Sequence, residues 1–432
     1  MKENLVIFWF RRDLRLEDNA ALWMALKSGK AVLPIFIFDR EILDLLPKKD
    51  ARVLFIHQEI SRLKNELEKL GSSLKIFHST PKKVFEELSE EYLIDAVFTN
   101  RDYEPYAQKR DREIYDFLSK QNIEFKGAKD QVIFEKNEIM KDDGKPYTVF
   151  TPYSKKWKSS VNDFYLTSYP CEKYFNNFYR CKPFADVTLE QIGFEKFSFN
   201  FPSREISLKI IENYAADRDL PSKSTSRLSL HLRFGTISIR SLIKVAIMFS
   251  EKWLNELIWR EFFSMILYHF PHSATESFKP QYDKISWLNN DEDFAKWKEG
   301  KTGYPIVDAG MRELNETGFM HNRVRMIVAS FLCKHLLIDW RLGEKYFAEK
   351  LLDYDMASNI GGWQWVVGSG CDAAPYFRIF NPSSQMEKFD PDFEYVKKWV
   401  PEFTSKNYPQ PIIDHQFARN RCLFAFKDAL SN

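Results

Sequence analysis

Four short apolar runs rich in β-branched and aromatic residues punctuate the first third of the chain: 5–10 (LVIFWF), 31–38 (AVLPIFIF), 74–77 (LKIF) and 94–99 (IDAVFT). Between them lie stretches such as 53–70, where Leu54, Ile60, Leu63 and Leu67 recur at helical spacing amid dense surface charge. Continuous rather than alternating apolar runs, separated by amphipathic helices, predict parallel strands covered on both faces. The expected fold over 1–130 is therefore a doubly wound, Rossmann-like α/β domain. It has neither a GxGxxG after a strand nor a GxxxxGK(S/T), so a dinucleotide is expected to bind elsewhere. From 131 to 205 periodicity gives way to Lys, Pro, Tyr, Phe and Asn, the pattern of a long connector. Helical spacing then returns over 206–216, 238–249, 253–269, 304–315, 322–338 and 343–352, which predicts an all-helical domain over 206–432.

Composition narrows the class. A chain of 432 residues has room for two domains or three. Aromatic residues make up 16% and there are only 15 glycines, which excludes collagen-like and low-complexity chains. A net charge of +2 excludes disorder by charge repulsion, and it leaves nucleic-acid binding to the clustering of basic residues. Five scattered cysteines (Cys171, Cys181, Cys333, Cys371, Cys422) include no CxxC pair, so no zinc or other metal site is expected and a reducing compartment fits. The apolar run at the start is too short for a signal peptide, and no run approaches the roughly 18 residues of a membrane span. A cytoplasmic, non-membrane protein is expected.

Candidate chemistry concentrates in the helical half. Trp253, Glu256, Trp259, Arg260 and Phe263 fall on one helix face at spacings of three and four. That face is either a surface ion pair beside a core aromatic stripe or the wall of a ligand pocket. Thr225-Ser226-Arg227-Leu228-Ser229 offers hydroxyls either to a helix N-terminus or to a phosphate. His321-Asn322-Arg323-Val324-Arg325-Met326 reads as a solvated helix start, or as an amide and two guanidinia meeting phosphate and base. Asp353-Tyr354-Asp355, with Asn359 and Gly361-Gly362-Trp363-Gln364-Trp365, is the most unusual stretch. Two carboxylates two apart converge only in a turn or around a wrapped ligand, and the spacing lacks the Gly and Glu of a calcium loop. Paired glycines beside tryptophans suggest backbone pressed against something flat.

At this point the residues resemble the photolyase/cryptochrome family, and within it the class I cyclobutane pyrimidine dimer photolyases. The likeness begins at Phe10-Arg11-Arg12-Asp13-Leu14-Arg15 and Asp18-Asn19, and passes through Val149-Phe150-Thr151-Pro152-Tyr153. It is densest from Arg218-Asp219-Leu220-Pro221 to Asn381-Pro382, through the strings WLNELIWREF, GKTGYPIVDAGMRELNETGFMHNRVRM, LLIDWR, NIGGWQW and DAAPYFRIFNP.

The resemblance implies a light-driven carbon–carbon lyase that holds FAD, active as the reduced anion, and splits cyclobutane pyrimidine dimers in DNA as a monomer. The FAD pocket would be lined by Tyr214, Thr225, Ser226, Arg227, Leu228, Ser229, Trp253, Arg260, Asn322, Asp353, Asp355 and Asn359, with Asn359 beside flavin N5. Arg218, Glu256, Trp259, Asn322, Arg323, Met326, Trp365 and Gln385 would face DNA. Glu256 would donate a hydrogen bond to the dimer, and Trp363, Trp340 and Trp287 would form a chain carrying electrons to oxidised flavin. A folate antenna normally meets an Asn-Glu pair in the loop that here reads Asp102-Tyr103-Glu104-Pro105-Tyr106-Ala107, so deazaflavin, another flavin or no antenna remain open. The rival expectations are a blue-light receptor cryptochrome, including the DASH type that repairs single strands, and a dark flavin oxidoreductase. Six-four photoproducts are disfavoured because His321 stands alone where that activity uses a histidine pair.

Overall fold

In the computed structural model, which describes residues 3–431, the first apolar runs become β1 (Asn4–Phe10), β2 (Val32–Asp39), β3 (Lys75–Ser79) and β4 (Leu93–Asn100), joined by a fifth strand, β5 (Glu124–Ala128). All neighbours pair in parallel in the order β3-β2-β1-β4-β5, with Trp9 opposite Ile35 and Ile7 opposite Val97. Every residue of β2 and all but Asn4 of β1 is buried, which is why both read as unbroken apolar runs. β5 occupies an edge, and its Glu124, Lys126 and Gly127 hid it from the apolar pattern. Several helices between strands start on side-chain caps. Asn19 accepts from Leu22 N ahead of Ala20–Lys27, and Asp50 accepts from Arg52 N ahead of Ala51–Lys69.

Two compact units emerge, and they interleave along the chain. One comprises 1–135, 160–206 and 227–245; the other comprises 136–159, 207–226 and 246–432. The stretch 131–205 is thus shared between units, and it contains the helix Phe150–Ser160. Residues 227–245 group with the sheet.

The second unit is helical. Its core packs Trp297, Val307, Met311, Val328, Phe331, Trp340 and Trp363, from the helices Asp291–Glu299, Pro305–Thr317, Asn322–Ser330, Trp340–Lys350 and Met356–Val367 and the turn after Ser330. Helical spacing predicts one helix over 322–338, but the chain departs at Phe331–His335 into a π-helical turn and reaches a left-handed residue at Leu337. Buried Lys334 is spent inside this turn, donating to the Arg378 carbonyl at 3.0 Å. Asp339 then caps the next helix by accepting from Arg341 N. No helix among the described residues is long and apolar enough to cross a membrane.

Candidate active site

The helix Glu251–His269, capped by Ser250, carries apolar residues almost all round, so its few polar positions stand out. Trp253 is buried, while Glu256, Trp259, Arg260 and Phe263 are half-buried on the same face. On the buried side Glu261 accepts from Trp157 Nε1 at 2.6 Å, an anchor invisible in the sequence because its partner lies 104 residues away. Glu256 accepts from Arg218 Nη1 at 2.6 Å, and that guanidinium lies over the Tyr214 ring, 5.5 Å from its centre. Burial raises the Glu256 carboxyl above its ordinary range, while the charge of Arg218 pulls the other way. Burial also pushes the Tyr214 hydroxyl up. The Trp259 indole stacks on Phe150 with centroids 3.8 Å apart and planes within 5°.

His321 is not part of a solvated helix start. It is buried, and its Nδ1 accepts from Arg323 N at 3.2 Å as the cap of Asn322–Ser330. Burial, and then the charge of Arg325, lower its pKa to about 4, so the acceptor stays neutral at ordinary pH. Asn322 is exposed and Met326 half-buried. The two guanidinia part company. Arg323 donates to Asp219 at 2.6 Å and lies 4.2 Å over Phe389, at the end of the helix Pro382–Phe389 that carries half-buried Gln385. Arg325 donates from its single Nη2 to both oxygens of Asp353, at 3.1 and 3.0 Å.

The Asp353-x-Asp355 turn therefore divides its labour: Asp353 holds Arg325, while Asp355 caps Met356–Val367 by accepting from Ser358 N at 3.1 Å. On that helix Asp355, Asn359 and Gly362 fall at i, i+4 and i+7, one face. A side-chain carbon at Gly362 would meet nothing within 4 Å, so this face has open room. The flat object pressed on Gly361 is part of the protein, because a Cβ there would stand 2.3 Å from the Phe263 ring. Asn359 donates to Glu344 Oε1 at 2.9 Å, and burial raises the Glu344 carboxyl. Glu344 and its contact escape sequence reasoning because helical spacing marks apolar positions only.

Among the expected electron-carrying tryptophans, Trp340 and Trp363 are buried and Trp287 is half-buried, edge-on to Phe426. Gly343 lets the helices come together: a Cβ there would lie 2.2 Å from Trp363 Cη2. Trp363 also meets Trp297, edge-on at 6.3 Å, a neighbour the sequence did not single out. Trp365 is half-buried against the core. Thr225 and Ser226 are half-buried in the helical unit. In the other unit Arg227 is exposed with left-handed backbone (φ 49°), Leu228 is buried, and Ser229 opens the helix Ser229–Phe234 without a side-chain cap. In the loop expected to meet an antenna, Tyr106 Oη donates to Asp39 Oδ2 at 2.5 Å.

This donor set fits a phosphorylated planar cofactor. Within the helical unit, the hydroxyls at 225 and 226 and the Arg260 guanidinium have the chemistry to bind a diphosphate, and the open Asp355–Asn359–Gly362 face offers room beside an amide.

Residues 253–406 match the FAD binding domain of DNA photolyase, and residues 6–172 match DNA photolyase. The deoxyribodipyrimidine photo-lyases of Agrobacterium fabrum and Escherichia coli are each 35% identical to this chain, over 99% and 98% of it and 98% of each relative. Solved structures agree. A bacterial class III photolyase from Agrobacterium tumefaciens gives a TM-score of 0.89 at 34% identity, over 100% of this chain and 99% of that one. An archaeal photolyase from Sulfolobus tokodaii with two FAD molecules gives 0.85 at 35%, over 98% and 100%. A cryptochrome from Synechocystis sp. gives 0.82 at 25%, over 98% and 99%. With both its sheet and its helical region matched and its whole length shared with such relatives, the chain belongs to the photolyase/cryptochrome family.

Proposed function

We infer that this protein is a light-dependent DNA-repair enzyme, a deoxyribodipyrimidine photo-lyase that splits cyclobutane pyrimidine dimers, acting as a monomer inside the cell. Near-full-length identity of 35% to proteins of that name carries the inference. Within the family we favour the class I form on its motif strings. Held in its reduced anionic form, FAD would supply the light-excited electron for ring opening.

The chain's own residues bind, orient and exclude water. Thr225, Ser226, Arg227, Leu228, Ser229 and Arg260 hold the diphosphate region. Tyr214, Trp253, Asn322, Asp353, Asp355 and Asn359 line the remainder, with Arg325 and Glu344 fixing Asp353 and Asn359. Arg218, Arg323, Asn322, Met326, Gln385 and Trp365 face DNA, and the flipped dimer rests against Trp259, whose orientation Phe150 sets by stacking. Glu256, whose carboxyl burial raises above its ordinary range, donates in its protonated form to a pyrimidine carbonyl as charge develops there. Trp363, Trp340 and Trp287 carry electrons inward when the cofactor is oxidised.

The signalling alternative is weaker, since identity to the cryptochrome falls to 25%. Repair of dimer-containing duplex and single-stranded DNA by the purified protein, in blue light and in darkness, tests the reading. Light-dependent monomer recovery from duplex is expected. Intact dimers after illumination of fully reduced protein would overturn it, and repair confined to single strands would point to the DASH type. The absorption spectrum of the same preparation shows which antenna, if any, is bound.

A further inference from the structure

The short helix Ser229–Phe234 is too brief to persist alone, so something else must hold it. The N-terminal motif does so. Three successive carbonyls at its C-terminal end, which a helix leaves unpaired, are each taken by a donor from that motif. Arg12 Nε reaches the Arg233 carbonyl at 3.2 Å, Leu14 N reaches Phe234 O at 3.1 Å, and Arg15 Nη1 reaches Gly235 O at 3.0 Å. Backbone meets backbone there: Gly235 has φ 63°, and a Cβ on it would stand 2.1 Å from the Arg12 carbonyl oxygen.

The chain beyond is locked in the same way. Arg15 and Arg240 share the two oxygens of Asp130, each at 2.7 Å, and Arg240 Nε also donates to Asp18 Oδ1 at 2.8 Å. Arg15, Asp130 and Arg240 are all buried. The helix flank is fixed by His231, which bonds Thr236 Oγ1 at 2.8 Å and the Pro202 carbonyl at 2.9 Å. Directly before the helix, Arg227 keeps a left-handed backbone that a non-glycine residue holds only where its surroundings impose it.

We propose that the Arg12–Leu14–Arg15 clamp, braced by Asp130 and Arg240, positions Arg227, Leu228 and Ser229 for the cofactor diphosphate, so that the N-terminal motif governs FAD retention without touching the reaction. This rests on the assignment of 225–229 as a diphosphate loop. Arg12 and Arg15 are positioning residues, acting through the carbonyls they bind.

The test measures the rate of FAD release, from the rise of free-flavin fluorescence after dilution of the holoenzyme. Arg15→Met removes a buried charged donor and should speed release about tenfold, with Arg12→Met somewhat less and Arg15→Lys partly restoring retention. Repair per photon absorbed by retained FAD should stay unchanged. If Arg15→Met does not fold, Arg12→Met, which leaves Asp130 paired, carries the test. Release within twofold of wild type in the folded clamp variants overturns the proposal. A Ser226→Ala/Ser229→Ala protein separates the two ideas. If it also retains FAD normally, the loop assignment itself fails; if it releases FAD quickly while the clamp variants do not, only the clamp fails.

Discussion

Arg218 donates to Glu256 at 2.6 Å, so the carboxyl expected to donate to the dimer is itself paired with a guanidinium. Burial and the ion pair oppose one another, and burial prevails. Because the Glu256 pKa is raised, its protonated form persists above the ordinary carboxyl range and is lost as pH rises through the elevated value. Repair per absorbed photon should fall over that rise in the wild type. It should stay flat in Glu256→Gln, which keeps a donor at every pH. Glu256→Ala should slow ring opening roughly tenfold while changing dimer affinity less. Identical pH profiles for wild type and Glu256→Gln would remove this carboxyl from the chemistry.

Arg218→Ala takes away the opposing charge. The Glu256 carboxyl should move further up, and the slope of log Kd against log salt should shrink by about one if Arg218 also meets a phosphate. Binding titrations at several salt concentrations read this directly, and an unchanged slope would confine Arg218 to holding Glu256.

His321 makes a stability prediction. Its folded pKa of about 4 lies below the ordinary 6.5, so the unfolded chain takes up the proton first as pH falls. The contribution is complete above 6.5 and is lost on acidification toward 4, amounting to roughly 3 kcal/mol. Denaturant unfolding at a series of pH values should show that loss. His321→Asn, which keeps an acceptor at the cap but does not titrate, should show a shallower one. Equal acid slopes would mean that protonation at this cap is compensated elsewhere.

How far the sequence reached depends on what each feature needs. β1, β2 and β4 were legible because burial forces nearly continuous apolar runs; edge strand β3 kept a short trace through Leu74, Ile76 and Phe77, whereas edge strand β5 tolerates Glu124 and Lys126 and leaves none. The Glu251–His269 face was legible because a helix brings residues three and four apart together. The second partner was not: Arg325 finds Asp353 across 28 residues and Trp157 finds Glu261 across 104. The π-helical turn at Phe331–His335 keeps an apolar rhythm, so local spacing cannot announce the extra residue.

Phe150 and Trp259 stack nearly parallel, so one face of the indole is covered within the protein. Phe150→Leu keeps much of the volume but removes the aromatic pair, worth about 0.5–1.5 kcal/mol. If the stack presets Trp259, dimer affinity should weaken about three- to tenfold at unchanged affinity for undamaged DNA. Equal weakening for both DNAs would indicate a general loss of shape in this region.

The proposed tryptophan chain can be tested at its two ends. At the buried end, Gly343→Ala pushes a carbon into Trp363, which should cost about 1–3 kcal/mol in stability and slow photoreduction by displacing the ring. At the other end Trp287 is half-buried and meets Phe426 edge-on, so Trp287→Phe removes the indole while keeping an aromatic contact. Photoreduction by external donors should then disappear, while enzyme reduced beforehand by chemical means repairs dimers at the wild-type yield. The two measurements separate because repair uses an electron already stored in the cofactor, whereas photoreduction must import one. If both fall together in Trp287→Phe, the residue supports the fold rather than the electron path. If photoreduction persists, Trp297, in contact with Trp363, becomes the residue to replace next.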